Sequence, residues 1–274
     1  MTPGTSAPAT DGMVKVNGAE LYHEIRGSGP SLLLIHGTGG DAGCYDGLAE
    51  QLATGFTVLT YDRRGWSRSP RPAGWERTSI EEQADDAAGL LRATGMAPAI
   101  VFGSSSGGLI ALDLAVRHPD VVQAAVVHEP STFAFLPPDF VQAQFAEATA
   151  IMERGFAAGG PQGGMGAFLN ELAGHDGLGS VDPKLRERWL ANSDLYFAIE
   201  FPHMILAYRP NPSGLTVALT VARAEESQPI NAAAAEWLAT AAKTTLEIIP
   251  GAHLAYLIDP AGFAAALRPL LGAS

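Results

Sequence analysis

A single cysteine, Cys44, stands in a chain of 274 residues. One thiol excludes an internal disulfide framework and any zinc site built on several cysteines. Lysine is also scarce, at positions 15, 184 and 243 only, and 17 Lys+Arg face 29 Asp+Glu, a formal net charge of −12. A surface of that sign repels phosphate backbones and anionic bilayers, so neither nucleic acid nor membrane is expected as a partner. No apolar run approaches the ~18 residues that a membrane span requires. The first dozen residues, MTPGTSAPATDG, hold neither a basic nor an apolar stretch. That predicts a disordered lead-in over residues 1–12, no secretory signal and a cytoplasmic location. Charged residues make up only 17% and hydrophobic ones 47%, which rules out a disordered chain and leaves ample apolar surface for one large core.

At roughly 100–200 residues per domain, the length allows one large domain, or one domain carrying an insertion. Short strands over 13–16 and 20–25 flank Asn17-Gly18, a strong two-residue hairpin signal. Buried strands are expected over 31–35, 57–61, 99–102 and 121–127, with helices between them. Thr78 and Glu81 have capping-box spacing at the start of one such helix. Strands that are apolar on both faces and alternate with helices predict an α/β protein: a mostly parallel central sheet covered by helices on both faces. The rhythm breaks after Pro130 and returns near residue 213. The expected division is therefore a core of residues 13–130 and 213–274, with a helical cap inserted over 131–212. Glycines crowd residues 155–166, too densely for a helix interior, so this stretch is read as a mobile connection that lets the cap open.

Gly103-Ser104-Ser105-Ser106-Gly107 lies between a strand and a helix, the setting of a G-x-S-x-G nucleophile elbow. Glycines two residues to either side let so tight a turn close, and the helix N-terminus behind Ser105 favours negative charge. A serine hydroxyl needs a base. Among His23, His36, His118, His128, His175, His203 and His253, only His253 follows the last strand in a loop before the terminal helix. His36 is read as a brace for its loop, His118 as a cation at a helix end, and His175 and His203 as cap residues that at most touch substrate. The base needs a carboxylate. Glu129, after the strand over 121–127, and Glu225 or Glu226, after the next strand, both give the order Ser…acid…His, and spacing alone leaves them open. The oxyanion-hole candidates are the N–H groups of Ser106 and of Thr38 in His36-Gly37-Thr38-Gly39-Gly40. That loop also mimics a dinucleotide fingerprint, with Asp62 near the place of a ribose-binding acid. The dinucleotide reading leaves GSSSG and His253 unexplained.

Together, HGTGG, YDRRGWSRS, GSSSGG and PGAH resemble the α/β-hydrolase superfamily over nearly the whole chain. VFGSSSGG…RHPDVVQAAVVHEPST and IPGAHLAYLIDP are similar to stretches of zearalenone-type lactonases and related bacterial serine hydrolases. That likeness implies a Ser105–His253–Glu129 triad, with Glu226 as the alternative acid. Haloalkane dehalogenases place an acid similarly but use an aspartate nucleophile, which Ser105 argues against. The lactonases' cap tryptophan falls near Tyr196 or Phe197 here.

Trp189, Tyr196, Phe197, Phe201 and Phe133 are the expected substrate-binding residues of an apolar pocket. The predicted activity is hydrolysis of an apolar carboxylic ester or lactone, a zearalenone-type macrolactone included, through an acyl-enzyme and with no metal or organic cofactor. Two other readings stand beside it: C–C bond hydrolysis or cofactor-free peroxidation on the same triad, and an inactive ligand receptor or scaffold. The sequence leaves the oligomeric state open, a homodimer included.

Overall fold

The computed structural model describes residues 9–173, 178–179, 181–205 and 207–272. The chain opens with a hairpin of β1 (Thr10–Val16) and β2 (Ala19–Gly27). Asn17 and Gly18 turn it with φ of 46° and 77°, the left-handed pair that a two-residue hairpin turn demands. β1 begins inside the expected lead-in, so residues 10–12 belong to the sheet; residues 1–8 lie outside the described residues.

Six further strands follow: β3 (Ser31–Ile35), β4 (Thr57–Tyr61), β5 (Ala99–Ser104), β6 (Val122–His128), β7 (Ala218–Ala224) and β8 (Leu246–Ile249). All eight form one sheet in the order β1-β2-β4-β3-β5-β6-β7-β8. The pairings of β1 with β2 and of β2 with β4 are antiparallel, and every other pairing is parallel. The helices are α1 (Asp46–Leu52), α2 (Ile80–Ala93), α3 (Ser106–Arg117), α4 (Pro138–Ala173), α5 (Pro183–Ala191), α6 (Ser193–Leu195), α7 (Pro229–Ala242), α8 (Ala255–Ile258) and α9 (Pro260–Leu270).

β3 shows why the sheet is covered twice. Leu32, Leu33, Leu34 and Ile35 are all fully buried, and an unbroken apolar run needs cover on both faces. β5 shows what supplies it. Phe102 packs edge-on against Phe263 of α9, ring centroids 5.9 Å apart. A Cβ on the next residue, Gly103, would lie 3.0 Å from Ala111 Cβ of α3. Successive side chains leave opposite faces of a strand, so α9 and α3 flank the sheet from opposite sides. The expected capping box shifts by one residue. Ser79, not Thr78, caps α2 and accepts from the Glu82 N–H at 3.1 Å, while Thr78 Oγ1 donates to the Glu82 carboxylate at 2.9 Å.

Between β6 and β7 most of the described residues are helical, including a π-helical stretch over Tyr196–Ile205. The glycine-rich run expected as a loose connection is helical too. α4 turns back on itself at Gly159 and Gly160, where φ is −156° and 61°. Its two arms meet at glycines: a Cβ on Gly155 would lie 2.3 Å from Gly163 O, and one on Gly163 would lie 2.2 Å from Gly155 O. Glycine costs about 1 kcal/mol relative to alanine inside a helix. Here its missing side chain lets two backbones touch, and the close packing offsets that cost. His175 lies outside the described residues. Among the described residues, no helix is long and apolar enough to cross a membrane.

Candidate active site

Ser104 stands opposite His128 in the parallel pairing of β5 and β6. The residues that follow, Ser105 and Glu129, therefore leave neighbouring strands at one level. Both bend into the left-handed region, Ser105 with φ 57° and Glu129 with φ 44°, a strain of about 1–3 kcal/mol for residues other than glycine. The surroundings hold them there: Ser105 N–H donates to His128 O at 3.0 Å, and Glu129 N–H donates to Ala222 O at 2.9 Å. The elbow has no room for side chains beside it. A Cβ on Gly103 would sit 2.2 Å from Gly107 O, and one on Gly107 would sit 2.2 Å from Ile35 O. Ser105 is half-buried, with its Oγ 3.3 Å from Ser131 Oγ.

His253 lies in the loop after β8, and its Nδ1 is 2.5 Å from Glu129 Oε2. The other carboxylate oxygen accepts from the Ala224 N–H at 3.1 Å and from the Ser227 hydroxyl. Burial alone would raise the Glu129 pKa. The hydrogen bond and charge of His253, the charge of His128 and the Ser227 hydroxyl outweigh it and bring the carboxyl down to about 2. An ionised carboxylate only accepts, so Nδ1 carries the imidazole proton and Nε2 is the basic nitrogen. Glu225 and Glu226 are exposed, and Glu226 is tied in by its backbone, whose N–H donates to Gly251 O at 2.9 Å. Of the three acids that spacing left open, the fold brings Glu129 to the histidine. His128 lies behind, its ring stacked on His253 at 6.2 Å and its Nδ1 3.0 Å from Ser104 Oγ. Burial pushes its pKa down, the nearby Glu129 pulls it up and His253 pushes it down again, leaving it at about 4.

The loop after β3 is braced from below. His36 is fully buried; burial first, then the Arg63 charge, lowers its pKa well below the ordinary value. The neutral ring bridges two backbones: Nδ1 lies 2.9 Å from Gly37 O, and Nε2 accepts from the Arg63 N–H at 3.2 Å. Asp62, the would-be ribose acid, is fully buried and accepts from the Ala42 N–H at 2.8 Å and from Arg68 at 2.8–2.9 Å. It closes the loop and offers nothing to a dinucleotide. Thr38 and Ser106 come together, with Thr38 Oγ1 3.2 Å from Ser106 Oγ. The sequence reading missed the group that meets both, Glu200 of the π-helical stretch. Its Oε1 accepts from Thr38 Oγ1 at 3.2 Å and from Ser106 Oγ at 3.1 Å.

A cavity of about 270 Å³ opens on Thr38, Ser105, Ser131 and His253. Phe133, Tyr196 and Phe201 line it, together with Phe145, Met152, Phe168 and Leu172, which the sequence did not single out. Their signal was present: 145, 148 and 152, and 168 and 172, recur at helical spacing along α4, but the intervening glycines argued against a helix. Trp189 borders instead a pocket of about 10 Å³ that also touches Ser105 and His253. Phe197 does not fall among the lining residues; it packs on Phe156 and Tyr196, with ring centroids 4.8 and 4.9 Å away. Glu147 and Glu171 border the larger cavity and no lysine or arginine does. Among the described residues, no cluster of three or more His, Cys, Asp or Glu is arranged to hold a metal.

A family model described as the alpha/beta hydrolase family matches residues 32–266. A Bacillus subtilis protein named uncharacterized hydrolase YraK is 48% identical over 120 residues, 44% of either chain. The chain thus spans less than half the length of the curated relatives it matches. Among solved structures, Est816, described as an N-acyl homoserine lactone degrading enzyme, has a TM-score of 0.74 at 23% identity, covering 94% of this chain and 99% of that one. A thermophilic esterase from Thermogutta terrifontis has a TM-score of 0.73 at 22% identity, covering 96% and 98%. At those identities the likeness is one of fold.

Proposed function

The chain belongs to the α/β hydrolase family, and from that premise we propose that it hydrolyses an uncharged, apolar carboxylic ester or lactone. Ser105 is the nucleophile, His253 its base, Glu129 the acid that orients and stabilises the histidine, and residues 131–212 form the cap. The observation that carries this reading is the buried 2.5 Å contact between Glu129 and His253 at a cavity shared with Ser105. His253 Nε2 takes the Ser105 proton as Oγ attacks the carbonyl carbon. The oxyanion settles between the N–H groups of Thr38 and Ser106, each worth on the order of 10²–10³ in rate, as at other measured oxyanion donors. Ser106 is the first residue of α3, so its N–H has no acceptor within the helix. The protonated His253 then gives its proton to the leaving alcohol, and the imidazole activates the water that releases the acid.

The phenylalanines around the cavity support an apolar substrate, and the sequence likeness and the activity named for Est816 are what favour a lactone. The test is hydrolysis of a panel of p-nitrophenyl esters and macrocyclic lactones by the wild type and by Ser105→Ala. Turnover by the wild type, lost in the folded variant, is the expected result. Equal turnover by both, or none by a folded wild type, overturns the proposal.

A further inference from the structure

Among the described residues, Glu200 is the one carboxylate of the helical insertion driven fully into the interior next to the reacting groups. Its side chain and that of Arg63 are both 0% exposed, and they pair at 2.8 Å through Oε2 and Nη2. Arg63 is fixed in turn: Nη2 donates to Gly37 O at 3.2 Å, and its guanidinium lies 5.0 Å from the centre of the Trp66 ring. The second oxygen of Glu200 is shared by the Thr38 and Ser106 hydroxyls. One cap residue therefore grips both amino acids whose N–H groups the proposed mechanism aims at the oxyanion.

We propose that Glu200, paired with Arg63, is a positioning residue for the oxyanion hole, so that seating of the cap helix sets the geometry of catalysis. The inference rests on the hydrolase reading above.

Two physical arguments support it. Thr38 sits between Gly37 and Gly39, the latter with φ 71°, in a loop whose glycines give it little stiffness of its own. An oxyanion donor must lie 2.7–3.1 Å from where the charge develops, and a misplacement of about 1 Å costs on the order of 10²-fold. An outside anchor on the Thr38 and Ser106 side chains supplies that stiffness. The charge balance fits as well. A lone carboxylate beside a developing oxyanion would repel it, and the guanidinium of Arg63, 2.8 Å away, cancels that field while leaving the acceptor oxygen in place. Glutamine at position 200 would still offer an oxygen to both hydroxyls; alanine would not.

The experiment compares wild type, Glu200→Ala, Glu200→Gln and the double variant Thr38→Val/Ser106→Ala. It measures kcat and KM on p-nitrophenyl butyrate and the affinity for a trifluoromethyl ketone that mimics the tetrahedral adduct. Glu200→Ala is expected to lose kcat by about 10- to 100-fold with KM changed less than about threefold. Ketone affinity should fall by the same factor as kcat/KM. Glu200→Gln should recover most of the loss. Thr38→Val/Ser106→Ala cuts the same contacts from the other side with the Arg63–Glu200 pair intact, so it decides the question if Glu200→Ala does not fold. Unchanged kcat in a folded Glu200→Ala or in the folded double variant overturns the inference, as does a rise in KM at constant kcat. An active wild type with indifferent variants removes this inference alone; an inactive wild type removes the hydrolase reading with it.

Discussion

Replacing Glu129 by glutamine keeps the shape of the buried side chain and removes its charge. The carboxyl sits at about 2 rather than at the ordinary 4.5. At 1.36 kcal/mol per tenfold in proton affinity, its surroundings favour the ionised form by about 3 kcal/mol. The carboxylate faces His253 Nδ1 at 2.5 Å, so its charge stabilises the imidazolium that the proposed mechanism forms. Losing it lowers kcat about 10²-fold. Glutamine adds a second fault. Its amide N–H donates to Nδ1 and moves the imidazole proton to Nε2, the nitrogen that accepts from Ser105 in the proposed mechanism. A wrong tautomer of this kind has cost about 10⁴ in kcat in a serine protease. The expected loss for Glu129→Gln therefore lies between about 10² and 10⁴, read as kcat on p-nitrophenyl butyrate at pH 8, with circular dichroism to show that the variant is folded. Glu226→Gln, at an exposed side chain, should stay within twofold of wild type. A folded Glu129→Gln that keeps more than a tenth of kcat refutes the reasoning, and so does a larger loss in Glu226→Gln.

Acid should destabilise the fold in two windows. His128 is held at about 4 in the fold against 6.5 when free, so the unfolded chain takes up a proton that the folded one refuses, and stability falls as pH drops from 6.5 to 4. Glu129 is held at about 2 against 4.5, so its contribution is complete above pH 4.5 and is lost as pH falls towards 2. His128→Asn should flatten the upper window and Glu129→Gln the lower one in urea titrations across pH 2–7; a variant curve parallel to wild type counts against the assignment. Gly155→Ala pushes a Cβ against Gly163 O, whereas a Cβ on Gly159 meets nothing within 4 Å. The first should cost about 1–3 kcal/mol and raise KM by splaying α4, while Gly159→Ala leaves Tm unchanged; equal Tm values for the two would contradict the helical hairpin. Among the described residues, Glu147 and Glu171 border the cavity and no lysine or arginine does, so the p-nitrophenyl monoester of succinate should react at least about tenfold more slowly than the butyrate at low salt. Glu147→Gln/Glu171→Gln should narrow that gap, and a gap unchanged in the double variant would remove these side chains as its cause.

The scaffold was legible because its signals are local. Asn17-Gly18 demands its turn, SLLLI demands cover on both faces, and GSSSG between a strand and a helix demands an elbow. The acid was not legible from spacing. β6 and β7 are adjacent and parallel, with His128 opposite Ala222, so an acid after either strand emerges near the same histidine. What separates them is burial and contact: Glu129 is buried against His253, while Glu225 and Glu226 are exposed, and the likeness to known hydrolases pointed to the same residue. The glycines of α4 misled for the opposite reason: propensity is local, whereas the packing of Gly155 on Gly163 is tertiary. Glu200 gave no signal at all. It is an isolated acid in the apolar run FAIEF, and its partner Arg63 lies 137 positions away.

The most direct test is to expose the protein to a fluorophosphonate and map the adduct by mass spectrometry. The account predicts one phosphonyl group per chain, carried by the peptide's Ser105, absent in Ser105→Ala and slowed by Glu129→Gln. A folded protein that takes up no label, or one labelled at Ser131, whose hydroxyl is only 3.3 Å away, would contradict it.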